Sequence, residues 1–153
     1  MENLIMENKN FRMLKILYIL IMFTGSCSPS KLSKNMKTTL KIDFQDFFKD
    51  DKISLKFNDC TVLTDVTVNS NESTGLSSVR LKVYKKDKYY EIYYSGSSTN
   101  CIQNNDNIEI TVLLNGKTHK FLIDINAGKF IGFSKKEQVE LFFYQSKKSF
   151  EYN

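Results

Sequence analysis

From Thr39 to the C-terminus, large apolar side chains fall on alternate residues, and this period sets the fold class. Leu40, Ile42 and Phe44 make one set; Ile53, Leu55 and Phe57 a second; Val79, Leu81 and Val83 a third; Ile108, Ile110 and Val112 a fourth; Phe121, Ile123 and Ile125 a fifth. Successive side chains of an extended chain point to opposite faces, so period two builds strands with one buried face, whereas a helix needs recurrence every third or fourth residue. Shorter runs at 61–68, 89–94, 129–133 and 139–144 raise the expected strand count to about nine. The best helical candidate, 43–50, is long enough for one turn only. Spacing of about a dozen residues, with turns rich in Asn, Asp, Gly and Ser, predicts a mainly β protein: a single antiparallel β-sandwich or barrel-like domain of about eight to nine strands. The 153 residues leave room for one domain plus a short targeting segment, and 41% hydrophobic residues are enough to fill its core.

Two hairpins have a predictable register. Asn115-Gly116 is a strong turn signal, because a type I′ turn needs positive φ at both central residues. Pairing outward from it sets Val112 opposite His119, Ile110 opposite Phe121, Ile108 opposite Ile123, and Thr111 opposite Lys120. A second turn centred on Lys86-Asp87 would set Leu81 opposite Ile92, Val83 opposite Tyr90, and Lys82 opposite Glu91, where unlike charges meet across the strands.

The N-terminal part follows different rules. Lys9, Arg12 and Lys15 precede the uncharged run Ile16-Leu17-Tyr18-Ile19-Leu20-Ile21-Met22-Phe23, which ends in Thr24-Gly25-Ser26-Cys27. A bilayer-crossing helix needs about 20 apolar residues, whereas the core of an export signal needs about 7 to 15 and ends in small side chains. The run therefore reads as an export signal. Phe23-Thr24-Gly25-Ser26-Cys27 resembles the lipobox of bacterial lipoproteins, a likeness confined to residues 1–30. It implies a signal peptide over 1–26, removed before Cys27, and a diacylglycerol on the Cys27 thiol. The protein would then be exported and lipid-anchored to the bacterial cell envelope, at the outer membrane. Residues 27–37, small and polar with Lys31, Lys34 and Lys37, read as a lipidated Cys and flexible tether, leaving 38–153 as the β domain.

Few residue types remain for chemistry. Cys60 and Cys101 are the cysteines left once Cys27 is lipidated, and an even remainder in an exported chain predicts a disulfide. The single His, His119, lacks a second ligand residue or a nucleophile beside it and reads as a partly buried structural side chain. Asp43, Asp46, Asp50 and Asp51 cluster, but without the Gly and terminal Glu of a calcium loop, so a solvated acidic loop is expected. No catalytic residue, metal ligand or cofactor is assigned, and the chain is read as a non-enzyme.

The surface that remains is the outer side of the second hairpin. Alternation puts Arg80, Lys82, Tyr84, Tyr89, Glu91 and Tyr93 together there, and tyrosines flanked by cations can stack on sugars and pair with anions. The expected function is a membrane-anchored binding module with a glycan or protein partner. The net charge of +5 is mild, and with an extracytoplasmic address it argues against nucleic acid. The alternative is an inhibitor or immunity-type protein that blocks an enzyme with a polar loop at 69–78 or 95–107.

Overall fold

The computed structural model describes residues 38–103, 107–136 and 140–150. The expected signal peptide, Cys27 and the expected tether lie outside the described residues. Among the described residues there are ten strands and no helix. They run β1 (Leu40–Phe44), β2 (Asp51–Phe57), β3 (Cys60–Val68), β4 (Arg80–Lys85), β5 (Tyr89–Tyr94), β6 (Ser97–Ile102), β7 (Ile108–Leu114), β8 (Lys117–Ile123), β9 (Phe130–Lys136) and β10 (Glu140–Ser146). One sheet has the order β10-β9-β1-β4-β5-β6 and the other β3-β2-β7-β8, so the domain is a sandwich and not a closed barrel.

The alternation does what period two requires. Leu40, Ile42, Phe44, Leu81, Val83, Ile92 and Phe133 of the larger sheet bury against Ile53, Leu55, Phe57, Ile108, Ile110 and Val112 of the smaller, all at 1% exposure or less. The β7–β8 hairpin has the expected register, with Val112 opposite His119, Ile110 opposite Phe121 and Ile108 opposite Ile123. Asn115 and Gly116 both have positive φ, at 46° and 86°.

Four expectations need correction. The second hairpin turns one residue later: the Lys86 N–H donates to the Tyr89 carbonyl at 2.8 Å, and Val83 faces Ile92 while Lys82 faces Tyr93. Moving a turn centre by one residue shifts the register by two, so every side chain keeps its face. Ser97–Ile102, expected inside a free loop, is strand β6, paired along the whole of β5 through a two-residue Ser95-Gly96 turn with φ of 46° and 83°. The sheet is not wholly antiparallel, because β9 enters parallel to β1. Parallel neighbours need a long crossover, and here the connection is most of the domain, beyond the reach of any local pattern. Ile125 falls beyond the end of β8 and is 40% exposed.

The two flanks of the sandwich close differently. On one, Cys60 of β3 and Cys101 of β6, each on the edge strand of its sheet, form the predicted disulfide with Cα atoms 5.5 Å apart. On the other, where β8 and β10 are the edge strands, the Phe121 ring lies 5.1 Å from Phe133 and 5.2 Å from Phe143. Edge strand β3 is interrupted by register shifts opposite Leu55, with Asp65 at φ 49°, which breaks up the ladder an open edge would offer to another chain. Between the sheets, the Asp51 carboxylate of β2 accepts from the Lys135 ammonium of β9 at 2.7 Å and from the Asn115 side-chain amide at 2.7 Å.

Candidate binding face

On β4 the inward positions are Leu81 and Val83, which leaves Arg80, Lys82 and Tyr84 outward. On β5 Tyr90 and Ile92 go in, and Tyr89, Glu91 and Tyr93 go out. All the residues singled out from the sequence therefore share the outer face of the six-stranded sheet. Tyr84 and Tyr93 meet edge to face at 5.4 Å. The Tyr93 hydroxyl donates to Glu91 Oε1 at 2.8 Å, and Lys86 Nζ lies 3.4 Å from Glu91 Oε2. That hydrogen bond, with a smaller part from burial and from the Glu91 charge, holds the Tyr93 phenol above its ordinary value, so the phenol stays protonated. The pair is thus fixed in orientation by Glu91 while Arg80 and Lys82 remain exposed. Tyr89 stands at the turn end of β5, opposite the exposed Ile102.

The structure extends this face well past the hairpin. Lys82 is opposite Lys41, and Lys41 is opposite Phe130. The Lys41 and Lys129 ammonium groups each lie 5.3 Å from the Phe130 ring centroid. A second row runs from Arg80 through Asp43 and Gly132 to Tyr144. Burial pushes the Asp43 carboxyl above its ordinary value, against the opposing pull of Arg80 and Lys41. Further along β9 and β10, Ser134 is opposite Phe142, and Lys136 sits 5.3 Å over the Phe142 ring. A cation over a ring face gains from the ring quadrupole, and this pairing occurs at Phe130 of β9 and again at Phe142 of β10. Sequence reasoning missed Lys41, Phe130, Lys136, Phe142 and Tyr144. Alternation in 141–144 marks Phe142 and Tyr144 as one face, but only the parallel β1–β9 pairing puts that face beside Arg80.

The other candidates separate. Asp43 lies on the outer face, Asp50 accepts from Asn69 Nδ2 at 2.9 Å, and Asp51 joins Lys135, so the acidic cluster does not converge. Among the described residues no group of three His, Cys, Asp or Glu is placed to hold a metal. His119 is half-buried and lies parallel to Phe121, with centroids 6.5 Å apart.

Fold and site together define a two-sheet β-sandwich with an open face of rings and cations. Comparison with protein-family models, curated proteins and solved structures gives no match to this chain.

Proposed function

We propose that the protein is an exported lipoprotein of the bacterial cell envelope, anchored through Cys27 at the outer membrane, and that it is a non-catalytic module binding a glycan or protein partner. The observation that carries the binding assignment is the outer face of the six-stranded sheet, where Tyr84 and Tyr93 are braced against each other beside exposed Arg80 and Lys82. The anchor rests on the residues before Cys27, and its test is separate: a fatty-acid analogue should label wild-type cells and not a Cys27→Ser strain. Equal labelling of both would remove the anchor and leave the binding face unaffected.

For the face, capture from envelope extract should depend on the tyrosines. Removing an anchoring ring typically costs about 2 kcal/mol or more of binding, and a half-buried ring on the outer side of a sheet, as all three tyrosines are, contributes less to folding than a core ring. Tyr84→Ala, Tyr89→Ala and Tyr93→Ala should lower the melting temperature only slightly, and at least the first and third should lose the partner. Large falls in melting temperature would make the rings part of the fold, and unchanged capture would make the patch inert. A single captured enzyme would move the assignment to an inhibitor acting through 69–78, since most of 95–107 is strand or turn.

A further inference from the structure

The segment from Phe44 to Asp51 carries the chain from the larger sheet to the smaller, and Phe47 within it has φ of 70° with its side chain 74% exposed. The left-handed region is strained for a residue with a Cβ, and a benzyl group in water loses the burial that other aromatic side chains here gain. Its neighbour Phe48 accounts for the turn: it is 3% exposed and packs edge-on against Phe44 at 5.6 Å. A glycine at 47 would make the same turn without strain, so what the position adds is the ring.

That ring and Lys49 stand beside a groove of about 720 Å³, whose lining includes Ser134, Lys136, Phe142 and Tyr144 from the outward side of β9 and β10. The volume is that of a small-ligand site. Among the described residues no carboxylate lines it. Lys135 reaches the groove too, but its ammonium is committed to Asp51 at 2.7 Å. Lys49 and Lys136 have no ion-pair partner among the described residues. The groove therefore joins three aromatic rings to two lysines without an ion-pair partner among the described residues, of which Lys136 sits over the Phe142 ring and opposite Glu140 of β10.

We propose that this groove binds an acidic sugar unit, its pyranose ring stacked on Phe47 and the Phe142–Tyr144 surface and its anionic group held by Lys49 and Lys136. The assignment rests on the reading of the outer face as a binding face and names its ligand class. Flat aromatic surfaces match the C–H face of a pyranose, lysines act as point charges for an anion, and the open side of the groove leaves sugar hydroxyls in water. On the floor β9 is already paired on both sides, with β1 and β10, so an extended peptide could add only at the outer edge of β10. A concave site also suits a discrete ring better than a bilayer.

Calorimetric titration of the purified full-length protein with a hexuronate tetrasaccharide, and with the matching neutral hexose tetrasaccharide, tests this. The acidic sugar should bind on the order of tenfold or more tighter than the neutral one, and less tightly as salt rises. Phe47→Gly should weaken binding on the order of tenfold while the melting temperature holds or rises, since glycine accepts the backbone angle. Lys49→Gln with Lys136→Gln should abolish the preference for the acidic sugar. Wild-type affinity in Phe47→Gly, or equal affinity for both sugars, would overturn the proposal. So would Phe47-dependent binding to phosphatidylglycerol vesicles in place of the sugar, which would assign the ring to a membrane. Absence of sugar binding with intact Tyr84- and Tyr93-dependent capture would overturn the ligand class alone. Absence of both would overturn the outer-face reading as well.

Discussion

Replacing Cys60 and Cys101 together by alanine is expected to lower the unfolding free energy by about 4 kcal/mol, the chain-entropy value for a loop of this length. The bridge spans 41 residues and joins the edge strands of the two sheets, adding a side-chain cross-link to layers otherwise held by packing, by the connecting loops and by the Asp51–Lys135 pair. Strand β6 depends on it most. Of its six residues only Cys101 is buried, and Ser97, Ser98, Asn100 and Ile102 are exposed. Without the bridge β6 keeps its ladder to β5 but loses its anchor to the opposite sheet, so its amides should exchange with solvent before those of β7. Urea unfolding of the oxidised wild type against the double variant measures the loss. A change below about 1 kcal/mol would mean that packing between the two sheets closes this flank unaided.

Asp51→Ala is the second large effect, at about 3 to 5 kcal/mol, the usual cost of removing one partner of a buried ion pair. Asp51 is 4% exposed and the Lys135 side chain 12%, so the change strands an ammonium between the sheets and leaves the Asn115 amide without its acceptor. Replacing Asp51 by Leu and Lys135 by Met together should recover most of the loss, because the desolvation penalty disappears with both charges. Burial by itself would raise the Asp51 carboxyl, but hydrogen bonds from Lys135, Asn115 and the Lys49 N–H outweigh it and hold the group below its ordinary value. A carboxylate depressed in the folded state contributes stability above its unfolded value of about 4 and loses it as pH falls through the folded value. The gap between wild type and Asp51→Asn should therefore be full at pH 7 and should shrink below about pH 4. A gap independent of pH would mean that the pair contributes by shape and not by charge.

How much of this was legible in the sequence depended on how local the determining contact was. Ile110 and Phe121 were readable as partners because an Asn-Gly turn fixes a register over a few residues. The disulfide followed from cysteine parity. Strand β6 was not readable from its own side chains: Ser-Ser-Thr-Asn has no apolar alternation, and its position comes from the β5 backbone and from Cys101. The local signal there is Ser95-Gly96, a two-residue turn with both φ values positive, as at Asn115-Gly116. The candidate face was half legible. Alternation in β4 and β5 put Arg80, Lys82, Tyr84, Tyr89 and Tyr93 on one side, but its continuation to Phe142 and Tyr144 required knowing that β9 lies beside β1, a long-range pairing. Phe47 carried no local signal at all. Two adjacent phenylalanines look alike in sequence, and only the burial of Phe48 turns the other one out.

The place of β1 in the larger sheet bears on how the protein would carry tension. Its first residue, Leu40, is where the N-terminal segment enters the domain, and the strand is gripped by β4 on one side and β9 on the other. Ladder hydrogen bonds lie across the strand direction, so a pull along β1 loads both ladders in shear at once instead of peeling them open bond by bond. Leu40, Ile42 and Phe44 are wholly buried, so drawing the strand out would also drag three core side chains through the packed interior. A domain tugged at this point meets the load with a central strand, and its edges, β10 and β6, are left out of the line of force.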